Sequence, residues 1–291
     1  MNIQWYPGHM TKAKRAMKED IRLIDLIIEL VDARVPLASR NPDIDELGKG
    51  KARLILLNKS DMASEQQNEA WMSWFRKQGF HVVKINARTG AGLKQINAVV
   101  QEACREKIER DRRRGIINRP VRAMVVGIPN VGKSTFINSF AGKACTKTGN
   151  KPGVTKGNQW IRLNKSLELL DTPGILWPRF EDQQVGLLLA FIGSINDEIL
   201  NREELAVELL RFLRKYYPET LKERYPDDGK DDLGSRGEDG ALTELERIAR
   251  LRGCLMKGGE PDISRAALLV IDDFRSGKLG RITLEFPPEE R

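Results

Sequence analysis

Residues 127–134 restrict the fold of this chain more than any other stretch, because they read G-I-P-N-V-G-K-S directly after the apolar run 123–126. This is the P-loop pattern, G-x-x-x-x-G-K-[ST], between a buried strand and a helix. Its glycines let the backbone wrap around a phosphate, Lys133 brings charge to the β/γ-phosphates, and the Ser134 hydroxyl can ligate magnesium. We therefore expect a bound nucleoside triphosphate. The nucleotide-binding residues that the pattern predicts are Asn130, Val131, Gly132, Lys133, Ser134 and Thr135.

The charge balance indicates a polyanionic partner. The 291 residues include 49 Lys and Arg against 41 Asp and Glu, which gives a net charge of +8. A surplus of this kind favours nucleic acid or an anionic membrane surface, although an ordinary basic protein is the alternative. The length suffices for about two domains.

The cysteine and hydropathy patterns argue against several classes of protein. The three cysteines, Cys104, Cys145 and Cys254, are widely spaced and include no C-x-x-C, so we expect no zinc site and no disulfide framework. No apolar run reaches the ~18 residues of a membrane span, and the N-terminus lacks the apolar core of a signal peptide. We therefore expect a cytoplasmic protein without a membrane partner.

Apolar runs alternate with helical stretches up to residue 178, which predicts an α/β domain with a doubly wound, mostly parallel sheet. Strands are predicted at 26–31, 53–57, 81–85, 121–126, 159–163 and 167–170, and one long helix at 93–114. Farther along, helices are predicted at 203–217, 241–255 and 264–275, with a polar loop at 226–240 and a last strand at 281–286. The expected organisation is a basic segment, 1–20, packed on the α/β core, 21–178, and then a smaller, mostly α-helical domain, 179–291.

A second motif indicates which base is bound. Asn58, Lys59 and Asp61 belong to N-K-S-D at the carboxyl end of a predicted strand, where ligands bind in open α/β sheets. The Asp61 carboxylate can accept from N1–H and the exocyclic amine of guanine, the Asn58 amide can reach the purine edge, and the Lys59 stem can cover the ring. Asn86 and Ala87 begin N-A-R-T, where the Ala87 N–H would meet guanine O6. N-K-x-D alone is often only a polar turn, but beside a P-loop it predicts GTP and GDP as ligands.

The sequence D-T-P-G, residues 171–174, ends a predicted strand and matches the D-x-x-G motif. Asp171 would hold Mg²⁺ through water, and the Gly174 N–H would meet the γ-phosphate. Thr155, in P-G-V-T, is the candidate switch threonine that joins Ser134 in the magnesium shell. An ordinary loop threonine is the alternative interpretation of Thr155.

The order of these motifs is unusual, because N-K-S-D precedes the P-loop, and D-x-x-G follows both. This order is that of a circularly permuted GTPase domain. Such a permutation needs only a surface linker between the original ends, here 115–120. It also places D-x-x-G just before the predicted helical domain, so nucleotide state can be passed to whatever that domain binds.

Among permuted GTPases of the translation-factor-related class, the chain resembles the ribosome biogenesis GTPase A (YlqF/RbgA) family over essentially its whole length. The resemblance depends on W-Y-P-G-H-M at 5–10, V-D-A-R at 31–34 and K-P-G-V-T-K at 151–156, together with N-K-S-D, the P-loop and D-T-P-G-I. It implies a GTPase that acts late in assembly of the large (50S) ribosomal subunit. It also implies a C-terminal helical domain that contacts ribosomal RNA. A GTPase acting on transfer RNA or at a membrane, and a GTP-dependent scaffold with little hydrolysis, are the alternatives.

The residue after D-x-x-G argues against an ordinary hydrolytic site. Many GTPases place a glutamine there to orient the attacking water, but this chain has Ile175. The family resemblance offers His9 as the residue that acts with Lys133 and Thr155, since imidazole can orient water near neutral pH. A turn cap or an RNA contact is the alternative role for His9. Asn130 resembles the asparagine by which some GTPases bind K⁺. We therefore expect slow turnover that the large subunit raises in potassium.

Basic residues supply candidate RNA contacts, although a basic stripe is often only a solvated face. The candidates are the N-terminal helix and, toward the C-terminus, Arg247, Arg250, Arg252, Lys257 and Arg265. The expected partner is a precursor of the large subunit with its rRNA, and we expect the protein to be a monomer.

Overall fold

The computed structural model describes residues 9–117, 119–142, 159–176, 182–226 and 240–288, with the backbone alone for 9–14. Within this part of the chain, six strands form one sheet. They are β1 (Leu26–Asp32), β2 (Ala52–Asn58), β3 (His81–Lys84), β4 (Val121–Val126), β5 (Gln159–Arg162) and β6 (Leu167–Asp171). Their order in the sheet is β3-β2-β1-β4-β6-β5, and every neighbouring pair is parallel except β5 and β6.

Helices cover both faces of the sheet, which explains why every residue of β1 is buried. The helices of this part of the chain are α1 (His9–Asp20), α2 (Asp43–Leu47), α3 (Glu65–Lys77), α4 (Leu93–Ala103), α5 (Arg105–Arg113) and α6 (Lys133–Ala141). Side chains alternate along β2 as the pleat requires: Ile55 and Leu57 pack with Trp71 of α3, whereas Leu54 and Leu56 join the main core on the other face. The predicted doubly wound sheet is confirmed.

The predicted single helix at 93–114 is wrong, because the chain forms α4 and α5 with an interruption at Cys104. That residue has φ −104° and ψ 12°, outside the helical region. Its side chain is buried in the main core, whereas α5 is almost entirely polar, with only Asp111 buried. A break at Cys104 therefore separates the helix that packs on the sheet from the one that faces solvent.

The helical part after the sheet contains α7 (Gln183–Phe191), α8 (Arg202–Tyr216), α9 (Pro218–Arg224), α10 (Gly240–Leu251) and α11 (Ile263–Arg275). Helix α8 buries Leu205, Leu209 and Leu213, which lie one turn apart on one face. These leucines belong to the same hydrophobic core as the sheet, so the helices pack on the α/β core. No helix in the described ranges is long and apolar enough to cross a membrane.

The predicted strand at 281–286 is wrong, since these residues form no strand and pair with none. They instead cross two loops at one edge of the sheet. The Ile282 N–H donates to Met62 O (2.9 Å), and the Leu284 N–H donates to Arg34 O (2.8 Å). We name residues 281–286 the tail. It ties the helical part to the loops that follow β1 and β2.

The strand order places a crevice beside the carboxyl ends of β1 and β4. The chain passes outward from β1 through β2 to β3 and then returns to set β4 on the other side of β1. Ligands of open α/β sheets bind at such a switch point. The P-loop, N-K-S-D, V-D-A-R and D-x-x-G all follow strands at this edge.

Candidate nucleotide-binding site

The P-loop joins β4 to α6, whose first residue is Lys133. Gly132 has φ 100°, a conformation that favours glycine, and a Cβ at this position would overlap the Nδ2 atom of Asn58. The helix that begins here directs its free N–H groups and positive end toward the loop. This geometry is the one that phosphate binding requires.

Lys133 is folded over the loop. Its Nζ donates to Gly127 O (2.9 Å) and Ile128 O (3.1 Å), and its side chain is buried. Burial lowers its pKa to about 8, against the opposing effect of the Asp171 charge. Gly174 lies close above, since a Cβ there would come within 2.9 Å of Lys133 Nζ and 3.0 Å of Pro129 Cα. The structure thus brings D-x-x-G onto the P-loop.

Asp171 is the last residue of β6, and it is 1% exposed. Neither carboxylate oxygen has a hydrogen-bond partner among the described residues, and burial raises its pKa to about 6 despite the charge of Lys133. The next residue is fixed, because Thr172 Oγ1 donates to Val125 O (2.7 Å). A buried carboxylate without partners, beside a phosphate-binding loop, fits a Mg²⁺ site, since Mg²⁺ prefers oxygen ligands. Ser134, on the same loop, is the second predicted ligand within the described residues.

The Asn58 amide differs from the expectation that it reaches the purine edge. It is 2% exposed, donates through Nδ2 to Val131 O (2.8 Å) and accepts at Oδ1 from the Ala87 N–H (3.0 Å). A buried amide needs such partners. Because the Ala87 N–H is used here, the expectation that it is free for guanine O6 also differs from the structure. Asn58 instead clamps the N-A-R-T loop to the P-loop.

The other predicted base-binding residues lie around this clamp. Asn86 Oδ1 accepts from the N–H groups of Arg88 (2.9 Å) and Thr89 (3.1 Å), which shapes the N-A-R-T turn. Asp61 is exposed in the turn after β2, where its carboxylate is accessible. Lys59 Nζ donates to Asn130 O (3.0 Å) and to Asp32 Oδ2 (2.8 Å). Sequence reasoning missed the ion pair between Asp32 and Lys59. The position of V-D-A-R at the end of a predicted strand could have indicated it.

Asn130, the predicted K⁺ ligand, is directed at the helical part. Its Nδ2 donates to Gly193 O (2.6 Å), just after α7, and the buried Ser194 donates through Oγ to Pro129 O (2.8 Å). The P-loop therefore contacts the turn that follows α7 through two hydrogen bonds. Sequence reasoning missed these contacts, because no local pattern marks Gly193 or Ser194.

Of the residues expected to bear on hydrolysis, the structure describes the side chain of Ile175 but not that of Thr155 or His9. Thr155 lies outside the described residues, and for His9 the structure describes only a backbone position at the start of α1. Ile175 is 3% exposed and packs in the main core, and its carbonyl accepts from Asn41 Nδ2 (3.3 Å). The position after D-x-x-G thus offers no polar side chain to a water molecule.

A family model described as 50S ribosome-binding GTPase matches residues 122–221, so it starts at the P-loop strand and leaves N-K-S-D ahead of it. A ribosome biogenesis GTPase A from Bacillus cereus is 51% identical over 290 residues, which cover 99% of this chain and 95% of that protein. The chain belongs to the ribosome biogenesis GTPase A family.

Solved structures support the same assignment. GNP-bound YlqF from T. maritima matches with a TM-score of 0.64 and 30% identity, and covers 96% of this chain and 100% of that one. The GDP-bound structure of TM YlqF has the same TM-score and identity and covers 94% and 99%. The predicted resemblance to the ribosome biogenesis GTPase A family and the fold that it implies are thereby confirmed.

The contacts of the basic residues toward the C-terminus test the candidate RNA contacts and correct one of them. Arg247 is buried (6% exposed) and donates to Tyr225 O (2.7 Å), Pro226 O (3.0 Å) and the Glu244 carboxylate, so it stabilises the helical part. Arg252 donates to Arg224 O (2.8 Å) and lies over the Tyr225 ring. Arg250, Lys257 and Arg265 are exposed.

Proposed function

We propose that this chain is a GTP-hydrolysing assembly factor for the large (50S) ribosomal subunit, whose nucleotide state controls its binding to the precursor subunit and its rRNA. The observation that carries this proposal is Asp171, a buried carboxylate without partners that lies beside Lys133 and Gly174. Membership of the family and the names of its relatives supply the ribosomal part.

The side chains of the site have different roles in GTP binding and hydrolysis. Lys133 offsets the charge of the β/γ-phosphates, and Asp61 selects guanine. Ser134, Asp171 and Thr155 would hold Mg²⁺, which supplies charge stabilisation to the transferring phosphoryl group.

Slow intrinsic turnover follows from Ile175. Because this side chain is buried and apolar, the attacking water needs another orienting group. We assign that role to His9, brought into place when the protein binds the large subunit. A K⁺ ion at Asn130 would add positive charge near the phosphates.

The helical part is the RNA-binding part of the proposal. Exposed Arg250, Lys257 and Arg265, together with the basic residues of α1, are its candidate phosphate contacts. We keep the division into residues 1–20, 21–178 and 179–291, a monomeric state and a cytoplasmic location as parts of this proposal. The hydrogen bonds from Asn130 to Gly193 O and from Ser194 to Pro129 O support it, since they give the P-loop a direct route to the helices.

Sedimentation with large-subunit precursors tests the ribosomal function. The protein is pelleted with precursor or mature 50S particles in a non-hydrolysable GTP analogue, in GDP and without nucleotide. We expect the strongest association in the analogue, and loss of association at high salt. Equal pelleting in all three nucleotide conditions would contradict the proposed nucleotide control.

Turnover measured beside the pelleting assay tests hydrolysis. GTP hydrolysis is expected to rise when 50S particles are added, and to be faster in KCl than in NaCl. His9→Ala is expected to bind GTP normally but to lose the subunit-stimulated rate. His81→Ala, the other histidine of the chain, is the control and is expected to keep that rate.

A GTP-dependent scaffold without catalysis is the second candidate function, and buried Ile175 is the observation that favours it. It predicts nucleotide-dependent pelleting with no stimulated hydrolysis in either salt. The two readouts therefore separate the candidates.

A further inference from the structure

Asp32, the last residue of β1, is fully buried and saturated with hydrogen bonds. Its Oδ1 accepts from the Arg34 N–H (3.1 Å) and Nε (2.9 Å). Its Oδ2 accepts from Arg34 Nη2 (2.8 Å) and Lys59 Nζ (2.8 Å). Burial alone would raise the pKa of this carboxyl, but the charges of Arg34 and Lys59 outweigh burial and hold the pKa well below its usual range. Asp32 is therefore ionised at neutral pH.

Lys59 links this carboxylate to the P-loop through Asn130 O, and the linked residues have an unusual backbone. Lys59 has φ 58° and Asn130 has φ 60°, and among the described residues no other non-glycine has a positive φ. Left-handed backbone at such residues costs energy, so the surrounding contacts must hold it in place. The bonds from Lys59 Nζ to Asp32 and to Asn130 O join both strained positions.

Arg34 links the same carboxylate to the helical part. Its Nη1 donates to Phe274 O (3.3 Å) near the end of α11, and its guanidinium lies 4.9 Å from the centre of the Phe274 ring. Its own carbonyl accepts from Leu284 of the tail. At 1% exposure, Arg34 is sealed between the sheet and α11.

The contacts close into a ring. Next to Phe274, Arg275 donates to Ala190 O (2.7 Å) and Phe191 O (3.0 Å) at the end of α7. The turn after α7 supplies Gly193 O, which accepts from Asn130. The sequence of contacts thus runs from Asp32 through Lys59, Asn130, α7, α11 and Arg34, and returns to Asp32.

We propose that Asp32 is a positioning residue of the nucleotide site. Through Lys59 it fixes the N-K-S-D loop against the P-loop. Through Arg34 it makes the geometry of these two loops depend on the packing of α11. The inference rests on the GTP binding in the proposed function. It extends that function by naming the buried side chain through which the helical part acts on nucleotide affinity.

The charges at this junction explain why Asp32 is needed. Lys59 and Arg34 carry two positive charges against the one negative charge of Asp32. The pKa of Lys59 is lowered by burial and by the neighbouring charges of Arg34 and Arg275, while Asp32 opposes this shift. Without the carboxylate, Lys59 and Arg34 would repel each other in a site with little water. Lys59 would then leave Asn130 O, and the N-K-S-D loop would lose its register with the P-loop.

Asp32→Asn in the full-length chain tests the inference, with Glu29→Gln as the matched control. Glu29 is also a buried carboxylate of β1 paired with two arginines, Arg40 (3.0 Å) and Arg53 (2.9 Å), and neither arginine hydrogen-bonds to the P-loop in the described structure. Both variants are expected to lower the melting temperature of the nucleotide-free protein. Only Asp32→Asn is expected to raise the Kd for fluorescent GDP, by about ten- to a hundredfold, mainly through faster dissociation.

A double-mutant cycle shows whether Asp32 acts through Lys59. Lys59→Met is expected to weaken GDP binding, and adding Asp32→Asn to it is expected to weaken binding little further. Fully additive losses would overturn the inference, as would equal losses of affinity in Asp32→Asn and Glu29→Gln. If Asp32→Asn does not fold, Arg34→Lys is measured in its place. This change keeps the positive charge but shortens the side chain that reaches Phe274. Unchanged GDP affinity in Arg34→Lys would overturn the proposed dependence of the nucleotide site on α11. Failure of the wild-type protein to bind GDP would instead refute the proposed function itself.

Discussion

The carboxylate of Glu285 in the tail accepts the backbone N–H groups of Leu37 (2.8 Å) and Ala38 (2.9 Å), which follow β1. The Glu285 carbonyl also accepts from Trp71 Nε1 (3.1 Å) on α3. A residue close to the C-terminus therefore fixes the loop that begins with V-D-A-R. The contact spans more than 240 positions of the chain, so it joins parts of the fold that are far apart in sequence.

Glu285 makes stability depend on pH. Partial burial raises its pKa to about 7, against the two backbone N–H groups that favour the charged form. A carboxyl whose pKa is higher in the folded state stabilises the fold below its unfolded pKa, and this contribution is lost as the pH rises through about 7. We expect Glu285→Gln to gain about 1–2 kcal/mol relative to wild type between pH 5 and pH 8. Urea unfolding at several pH values measures this, with exposed Glu102→Gln as the control.

A constant difference between Glu285→Gln and wild type across that range would show that Glu285 does not titrate there. A difference that grows equally in Glu102→Gln would assign the effect to overall charge instead.

The tail should matter for stability through its buried side chains. Leu284 is 5% exposed, whereas Phe286, two residues on, is 46% exposed. Because truncating a buried leucine removes apolar contacts and leaves a cavity, Leu284→Ala is expected to cost about 2–4 kcal/mol of unfolding free energy. Phe286→Ala is the matched control and is expected to cost less than ~1 kcal/mol. Hydrogen exchange at residues 35–38 should quicken only in Leu284→Ala, and equal exchange in both variants would refute this role of the tail.

How far the sequence predicts this molecule depends on how local each feature is. The central strands were predictable because β1, β2 and β4 are short apolar runs that each end in a motif, whereas β5, which reads Q-W-I-R, carries a weaker signal. The contacts between Asn130 and Gly193 and between Ser194 and Pro129 could not be predicted, since they join residues 63 and 65 positions apart with no shared pattern. Arg247 was expected on a basic surface, because helical periodicity alone does not distinguish an arginine that is buried to bind carbonyls from one that faces solvent.

Asp171 gives the nucleotide-free protein a carboxylate that is costly to ionise. Its pKa is raised to about 6 by burial, so its contribution to stability is lost as the pH rises from about 4 through 6. At pH 7.5 without Mg²⁺, Asp171→Asn is expected to be more stable than wild type by about 1–3 kcal/mol. The same variant is expected to lose Mg²⁺-dependent GTP hydrolysis by at least about a hundredfold. Calorimetry with and without Mg²⁺ and a phosphate-release assay measure the two effects.

Exposed Asp272→Asn is the control for Asp171→Asn, and it should change neither the melting temperature nor the hydrolysis rate. An Asp171→Asn protein that hydrolyses GTP at the wild-type rate would remove Asp171 from the magnesium site.

A comparison of Gly132 with Gly142 distinguishes the cost of backbone strain from an effect on the geometry of the nucleotide site. Gly132 and Gly142 both have positive φ (100° and 67°), but only at Gly132 would a Cβ meet another group, the Asn58 amide. Each change to alanine is expected to cost about 1 kcal/mol of stability from the backbone conformation. Only Gly132→Ala is expected to push Asn58 away from Val131 O and so to abolish measurable GDP binding. Titration of the two variants with fluorescent GDP measures this difference in affinity. Similar affinities would mean that the contact between Asn58 and the P-loop is not needed for nucleotide binding.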